Sequence, residues 1–202
     1  MQGKRENVSI SPLAKVAQGA KIAPGVTIEG RSVIGEGAVI RPGCIIEDSV
    51  IGARTEVTAS VLTGAKVGED CTVGPFAYLR KGADIADGCR IGDFVEVKNA
   101  RVGEGTKVAH LTYVGDCEIG KGCNIGCGVV FVNYDGKRKN RTVVGDRCFI
   151  GSNCNIIAPV SIKDGCYIAA GTTVTDDVGK DDLVIGRVRQ VVKPGRARGR
   201  FC

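Results

Sequence analysis

The chain has 202 residues and a formal net charge of +6 that is spread along the sequence rather than gathered in one block. Aromatic residues make up 4% and tryptophan is absent, so the aromatic surfaces on which nucleic-acid-binding proteins stack bases are scarce. No segment approaches the roughly 20 apolar residues of a membrane span, and the N-terminus lacks the apolar run of a signal peptide. The composition therefore argues against nucleic-acid binding and membrane insertion, and it predicts a cytoplasmic protein.

Three regions follow one another along the chain. Residues 1–7 form a polar leader, residues 8–178 carry a regular repeat, and residues 179–202 form a basic tail that ends in KPGRARGRFC. The tail contains LVIGRVRQVV, which could form a closing strand or a short helix. A basic tail is usually solvated, but it could also contact an anionic cofactor.

The repeat region has an aliphatic or aromatic residue at every sixth position over long stretches. The series comprises Ile10, Val16, Ile22, Ile28, Ile34, Ile40 and Ile46, then Val61, Val67, Val73, Leu79, Ile85, Ile91 and Val97, and, after short slips, Val102, Val108, Val114, Ile119, Ile125, Phe131, Val144, Ile150, Ile156, Ile162, Ile168 and Val174. This period fits neither an amphipathic helix nor a long alternating strand, so it predicts short strands separated by corners. Three strands would close one coil of about 18 residues, and stacked coils would pair as parallel sheets. The expected fold is all-β, a parallel β-helix, and the glycine that follows most repeat positions predicts corners with positive φ.

Eight of the ten cysteines share one position in the repeat, two residues before an apolar residue of the series. These are Cys44, Cys71, Cys89, Cys117, Cys123, Cys148, Cys154 and Cys166. Because side chains two apart on a strand share a face, we expect these thiols to point into the core. Buried thiols are common core filling, so this position favours packing over a disulfide framework or a metal site. Cys127 and Cys202 fall outside the pattern.

Two cations break the rule that glycine follows the repeat residue. Arg80 follows Leu79 and Lys98 follows Val97, and the two cations are 18 residues apart, so they should stack on adjacent coils. Their repulsion would be relieved by salt, by acidic neighbours such as Glu96, or by a bound anion. Arginine suits bidentate capture of a phosphate and lysine suits a point contact. A phosphate site is thus one interpretation, and a pair of solvated surface cations is the other.

The only histidine, His110, lies close to the longest break in the repeat, NYDGKRKNRT at 133–142. This segment is too polar for the core, and loops on rigid scaffolds commonly carry sites. An imidazole, which ordinarily titrates near pH 6.5, is suited to take a proton from an attacking amine. A histidine satisfied in the core or at the surface is the plainer alternative. A single histidine argues against a three-histidine zinc site within one chain, and no metal is expected.

Several longer segments occur together and in order: GPFAYLRKGADI, IGDFVEVKNARVGEGTKVAHLTYVGDCEIGKGCNIG, VNYDGKRKNRTVVGDRCFIGSN and IAPVSIKDGCYIAAGTTVTDDV. They resemble the acetyltransferase domain of the bacterial bifunctional N-acetylglucosamine-1-phosphate uridyltransferases/glucosamine-1-phosphate N-acetyltransferases, over roughly residues 8–190. The resemblance implies a left-handed β-helix, although crossover sterics ordinarily favour right-handed connections. It also implies a homotrimer with sites between subunits. Such a trimer transfers the acetyl group of acetyl-CoA to the amine of glucosamine 1-phosphate, for UDP-N-acetylglucosamine and cell-envelope synthesis.

The resemblance also implies individual roles. His110 would be the base that removes a proton from the sugar amine. The residues implied to contact the sugar phosphate are Arg80, Lys98, Tyr113, Asn124 and Lys139. Those implied to contact acetyl-CoA are Asn133, Tyr134, Cys127, Ser152, Ala170 and Arg187. No metal is required for the acetyl-transfer step.

The chain departs from the family pattern at three positions near these residues. Cys127 replaces an expected alanine, Val132 replaces a cysteine, and Lys81 stands where proline is usual, which could loosen the segment that carries Arg80. These changes bear on affinity more than on activity. The family's uridyltransferase domain has no counterpart here, so the chain could be a separately expressed half or a stand-alone acetyltransferase, and uridyl transfer is not expected of it.

Three functional hypotheses follow. The favoured one is direct acetyl transfer to glucosamine 1-phosphate, without a covalent acyl-enzyme; a cysteine nucleophile, for which Cys127 is the candidate, is the rival chemistry. The second is an acyltransferase with another acceptor, such as a nucleotide sugar or an amino acid, because a fold does not set its substrate. The third is a non-catalytic trimeric scaffold whose edge coils and basic tail bind a partner.

Overall fold

The structure is a computed structural model that describes residues 7–196 and 198. These residues form 29 short strands, numbered β1 to β29 in chain order, and no helix, so none of them belongs to a helix that could cross a membrane. The strands lie in three parallel sheets that the chain visits in turn. The predicted all-β, left-handed parallel β-helix is confirmed, and it has about ten turns.

Each sheet takes every third strand, except that β29 follows β27 in the third sheet, and neighbouring members are one coil apart. The first sheet contains β1 (Ser9–Ile10), β4 (Thr27–Glu29), β7 (Ile45–Glu47), β10 (Val61–Thr63), β13 (Tyr78–Leu79), β16 (Glu96–Lys98), β19 (Tyr113–Gly115), β22 (Val130–Val132), β25 (Asn155–Ile157) and β28 (Thr173–Val174). The second contains β2 (Lys15–Val16), β5 (Val33–Ile34), β8 (Val50–Ile51), β11 (Lys66–Val67), β14 (Ala83–Ile85), β17 (Ala100–Val102), β20 (Cys117–Ile119), β23 (Thr142–Val144) and β26 (Ser161–Ile162). The third contains β3 (Lys21–Ile22), β6 (Val39–Ile40), β9 (Glu56–Val57), β12 (Thr72–Val73), β15 (Arg90–Asp93), β18 (Lys107–His110), β21 (Asn124–Ile125), β24 (Phe149–Ile150), β27 (Tyr167–Ile168) and β29 (Leu183–Val184).

Most residues of the six-residue series point into the core, as predicted, and three positions differ. Ile10 and Val16 are 36% and 39% exposed, because among the described residues no coil lies below the first to cover them. The assignment of Val61 is wrong, since its neighbour Leu62 is fully buried and pairs with Leu79 on the next coil. The repeat therefore slips by one residue at this point.

The glycines that follow the repeat residues serve close packing rather than positive φ. A Cβ on Gly52 would lie 2.3 Å from the backbone of Gly68 on the next coil, and one on Gly103 would lie 2.5 Å from Gly120. Neither residue has positive φ, and of this class only Gly74 does, at 98°. The prediction of positive φ was therefore wrong for this class: at these corners adjacent coils touch, so there is no room for a side chain.

The eight cysteines of the repeat are buried and free, which confirms the packing prediction, and Cys127 is half-buried. Five of them form a column where each second-sheet strand turns into the third sheet, and we call it the thiol column: Cys71, Cys89, Cys123, Cys148 and Cys166. Thr55 and Thr106 occupy the same register. Every one of these side chains donates to a backbone carbonyl of the next coil, as Cys89 Sγ does to Gly103 at 3.1 Å and Thr106 Oγ1 to Gly120 at 2.8 Å. The thiols therefore act as hydrogen-bond donors as well as core filling.

Replacing Cys89 should test this role, because threonine already occupies its register. We expect Cys89→Thr to keep the bond to Gly103, whereas Cys89→Val has the same shape without a donor and leaves the carbonyl unpaired. An unmade buried hydrogen bond costs about 1 kcal/mol or more, which lowers Tm by about 2–4 °C in a chain of this size. Calorimetry on both variants would measure the difference. Equal Tm values would show that the thiol acts by packing alone.

The described part of the basic tail begins as a strand. Leu183 and Val184 pair with the third sheet through Tyr167 and Ile168, which decides between the strand and the helix left open for this segment. Residues 185–196 have no regular element. The leader residues 1–6 and Cys202 lie outside the described part of the chain.

Candidate active site

His110 is paired with an aspartate that lies one coil below it. His110 ends β18 and Asp93 ends β15, and the two residues are register partners in the third sheet. His110 Nδ1 lies 2.5 Å from Asp93 Oδ1, and the histidine side chain is 50% exposed. The imidazole is thus accessible at the edge of the prism rather than sealed in its core.

The pairing decides which ring nitrogen carries the proton. An ionised carboxylate can only accept, so Nδ1 of His110 donates to Asp93 and Nε2 of the neutral ring keeps its lone pair. The hydrogen bond with His110 lowers the pKa of Asp93 below its ordinary value, which keeps the carboxylate ionised near neutral pH. The arrangement leaves Nε2 as the nitrogen that can accept a proton.

A column of small residues continues upward from His110 along the edge where the third sheet turns into the first, which we call the His110 edge. Backbone hydrogen bonds define the stack: Gly128 N donates to His110 O at 3.1 Å, Asn153 N donates to Cys127 O at 2.8 Å, and Gly171 N donates to Ser152 O at 2.8 Å. At the top, Arg187 Nη1 donates to the carbonyl of Ala170 at 3.1 Å. The edge therefore brings together the histidine and four of the predicted cofactor contacts: Cys127, Ser152, Ala170 and Arg187.

Three cations gather at a different edge, where the first sheet turns into the second, and we call them the cation cluster: Arg80, Lys98 and Lys139. The Lys139 ammonium lowers the pKa of its neighbour Lys98, and the Arg80 guanidinium lowers it further. Arg80 also donates to Glu96 Oε1 at 2.7 Å, and this bond raises the pKa of the guanidinium. Glu96 thus balances part of the positive charge.

Asn133 is anchored beside this cluster by a buried carboxylate. Its Nδ2 donates to Asp116 Oδ2, and the same nitrogen lies 3.3 Å from the hydroxyl of Tyr113. Asp116 is 8% exposed and Asn133 is 7% exposed. The tyrosine ring lies against Gly115, where a Cβ would stand 2.4 Å from the phenol oxygen. Glycine is therefore required at position 115 for the ring to take this place.

Two predicted site residues lie apart from the rest within one chain. Asn124 lies in β21 on the third sheet, where its register partners are Lys107 and Phe149. Tyr134 is 56% exposed and donates its hydroxyl to the carbonyl of Gly136 within its own loop. The single chain thus divides the predicted residues between the His110 edge, the face of the third sheet and the cation cluster.

The loop at 133–142, which we call the excursion, has its own internal bonds. Asp135 Oδ1 accepts from the backbone nitrogens of Lys137 and Arg138, each at 2.8 Å, and these bonds lower the pKa of Asp135 to about 2. Asn140 N donates to Asn133 O at 2.7 Å. The excursion is therefore a defined turn, and it carries Lys139 back toward Lys98.

Sequence reasoning missed Asp93 and Asp116. Asp93 precedes His110 by 17 residues, which is one coil in this part of the chain, so a count along the repeat would have placed it beside the histidine. Asp116 gave no comparable signal, because its partner Asn133 belongs to the irregular excursion.

Comparisons with known proteins agree with this description. Residues 44–75 and 141–176 match the family model "Hexapeptide repeat of succinyl-transferase", and residues 64–99 match "Bacterial transferase hexapeptide (six repeats)". A solved UDP-N-acetylglucosamine acyltransferase from Francisella novicida covers 89% of this chain and is itself covered to 65%, with a TM-score of 0.62 and 18% identity, which supports the fold alone. Hexapeptide-repeat models of bacterial transferases thus match two stretches of the chain, residues 44–99 and 141–176.

At a finer level, the chain is similar to the C-terminal part of the bifunctional protein GlmU. It is 50% identical over 190 residues to the protein of that name from Clostridium acetobutylicum, which is 94% of this chain and 42% of the relative. It is 51% identical over 174 residues to the one from Clostridioides difficile, which is 86% of this chain and 38% of the relative. The chain thus spans about two fifths of the length of these relatives, and the resemblance that its motifs indicate is confirmed.

Proposed function

We propose that this chain transfers the acetyl group of acetyl-CoA to the amine of glucosamine 1-phosphate, which yields N-acetylglucosamine 1-phosphate and free CoA. The observation that carries the proposal is the His110–Asp93 pair, held at 2.5 Å at the accessible foot of a column of small residues. The GlmU relatives, at 50% and 51% identity, support the same activity. The remaining sites serve to hold the two substrates around this imidazole.

The transfer proceeds by direct attack. The lone pair of the sugar amine attacks the thioester carbonyl, and Nε2 of His110 takes a proton from that amine as the new C–N bond forms. The tetrahedral intermediate then collapses and the C–S bond breaks. The CoA sulfur leaves with the proton that the His110 imidazolium returns. Asp93 keeps Nδ1 protonated and steadies the imidazolium that forms in between, as a carboxylate beside a catalytic histidine does. No metal is needed in any of these steps.

The cation cluster supplies the phosphate site in this proposal. Arginine offers a planar fork to two phosphate oxygens, and the two lysines add point charges. Lys98 and Lys139 repel each other in the absence of an anion, and a sugar phosphate relieves that repulsion. Tyr113 and Asn124 contact the sugar. The acetyl-CoA lies along the His110 edge, past Cys127, Ser152 and Ala170 toward Arg187, with Asn133 and Tyr134 beside it.

The complete site forms between chains of a homotrimer. One chain places its cation cluster and its His110 on different edges of the prism, so a neighbour is needed to close the site. Three bulky side chains next to the His110 edge support such a neighbour: Phe76, Phe94 and Leu111 are 56–59% exposed. They also have φ of 48–60°, a conformation that costs bulky residues energy and that a covering chain would stabilise.

The experiment that tests this function is the release of free CoA thiol with a panel of acceptors. Glucosamine 1-phosphate should support release, whereas glucosamine without phosphate, amino acids and nucleotide sugars should support at most about one hundredth of that rate. An equal rate with unphosphorylated glucosamine would contradict the role of the cation cluster. The absence of release with every acceptor would favour the non-catalytic scaffold.

Direct attack also predicts that Cys127 is dispensable. The only side-chain hydrogen bond of the His110 ring among the described residues goes to Asp93, so the ring does not activate the thiol one coil above it. Cys127→Ala should therefore keep kcat within about threefold, because alanine leaves the column of small residues open. The steady-state rate of thiol release measures this directly. Abolished turnover in this variant would establish an acyl-cysteine route instead.

A further inference from the structure

Asp116 ties together both ends of the excursion. Its Oδ2 accepts from Nδ2 of Asn133, the first residue of the loop, and its backbone carbonyl accepts from the nitrogen of Thr142, the last, at 3.3 Å. Its Oδ1 accepts from Asn99 Nδ2 at 2.6 Å, and its own nitrogen donates to the carbonyl of Lys98 at 3.1 Å. One residue thus connects the loop to the coil that carries Lys98.

The surroundings of Asp116 are built to hold a charged carboxylate. The side chain is 8% exposed, and burying a carboxylate is costly unless it is hydrogen-bonded and close to positive charge. Two amide donors satisfy its oxygens. The Lys139 ammonium lowers the pKa of Lys98, and the charge of Asp116, which lies close to both lysines, opposes that shift. The carboxylate therefore offsets part of the repulsion between the two lysines.

Resting on the proposed function, we propose that Asp116 is a positioning residue for the sugar phosphate: through Asn133 it fixes the excursion so that Lys139 stands beside Lys98. Asp116 itself contacts neither the amine nor the thioester. Its loss should therefore weaken the binding of the sugar phosphate more than it slows the transfer of a bound substrate.

The direct test compares Asp116→Asn with Asp146→Asn. An amide at 116 presents a nitrogen to one of two amide donors, so one bond is lost together with the charge. Asp146 makes a matched control, because its Oδ1 likewise accepts, from the nitrogen of Lys121 at 2.9 Å, on an edge without predicted site residues. We expect Asp116→Asn to raise KM for glucosamine 1-phosphate about tenfold or more, with a smaller fall in kcat, and Asp146→Asn to change both less than twofold.

Two measurements do not depend on turnover. Calorimetric titration with glucosamine 1-phosphate should give a Kd that rises about tenfold in Asp116→Asn, and amide hydrogen exchange over residues 133–142 should become faster in that variant alone. If Asp116→Asn does not fold, Asn133→Ser, whose shorter side chain lacks the amide donor and leaves the carboxylate, should show the same faster exchange and weaker binding.

The outcomes separate this inference from the proposed function. If the chain binds glucosamine 1-phosphate with the predicted dependence on Asp116 but releases no CoA, the acetyltransferase proposal fails and the positioning role stands. If Asp116→Asn behaves like Asp146→Asn in Kd and in exchange, or if the unaltered chain does not bind the sugar phosphate, the positioning role is overturned.

A double variant tests whether Asp116 acts through Asn133. In an Asn133→Ser background, Asp116→Asn should change Kd by less than about twofold, because the effects of residues that act as one unit are not additive.

Discussion

Replacing His110 by alanine is expected to lower kcat for acetyl transfer by about 10²- to 10⁴-fold, because it removes the proposed general base. The ring is half exposed, and among the described residues its one side-chain hydrogen bond is to Asp93, so its removal should leave the fold intact. Steady-state thiol release measures the loss, and the thermal transition of the variant shows that it remains folded. A folded variant with kcat within threefold of the unaltered chain would contradict the role.

Asp93→Asn provides the matched partner of this experiment. The amide has the same shape and can still accept from Nδ1 of His110, but it carries no charge and can also turn its nitrogen toward the ring. We expect a smaller loss of kcat than for His110→Ala, and almost no further loss when Asp93→Asn is added to that variant, since the aspartate acts through the imidazole.

The pKa of Asp93 lies below the ordinary aspartate value near 3.9, so its carboxylate stays ionised as the pH falls to that value. Acid loss of activity above that pH should therefore not come from Asp93.

Removing one member of the cation cluster is expected to produce the largest effect on substrate binding. Arg80→Ala should raise KM for glucosamine 1-phosphate by about 10- to 100-fold, because a hydrogen bond between charged groups contributes about 1.5–3 kcal/mol. The KM for acetyl-CoA should change little. Increasing salt should weaken the binding of the sugar phosphate in the unaltered chain more than in the variant, since one attractive charge has been removed.

Arg101→Ala is the control for this measurement. Arg101 is an exposed arginine of β17 in the second sheet and is not a predicted site residue, and its loss changes the net charge by the same amount. It should leave KM for glucosamine 1-phosphate within about twofold. If both variants raise KM equally, the phosphate responds to the overall charge of the protein and the cluster is not its site.

Much of the fold could be predicted from the spacing of apolar residues. A six-residue period cannot bury one face of a helix, so Val67, Val73 and Leu79 had to lie on successive short strands. The handedness followed only from the resemblance. The six-residue spacing placed Val61 in the core, whereas the buried residue is Leu62. The chain slips by one residue in this coil, and the spacing is regular again after it.

The glycines and the thiols show a second limit. Sequence spacing places Gly52 at a corner, but whether that corner needs positive φ or close approach depends on the distance between coils, which only the structure gives. Similarly, the spacing placed Cys89 in the core and could not show that its thiol donates to Gly103. The occurrence of Thr55 and Thr106 in the same register was the available signal.

The candidate site was predictable to the extent that it follows the repeat. Arg80 and Lys98 could be placed on adjacent coils by counting, and the same count would have found Asp93 below His110. The link from Asp116 to Asn133 could not be found in this way, because the excursion leaves the repeat and its return path is set by its own turn around Asp135.

The central claim is that His110 activates the amine of a phosphorylated hexosamine toward acetyl-CoA. The most direct measurement is the release of free thiol from acetyl-CoA, with and without glucosamine 1-phosphate, by the intact chain and by His110→Ala. We predict release that depends on the sugar phosphate in the intact chain and that falls at least about a hundredfold in the variant. Release that does not require the acceptor, or that continues unchanged without the imidazole, would contradict the claim.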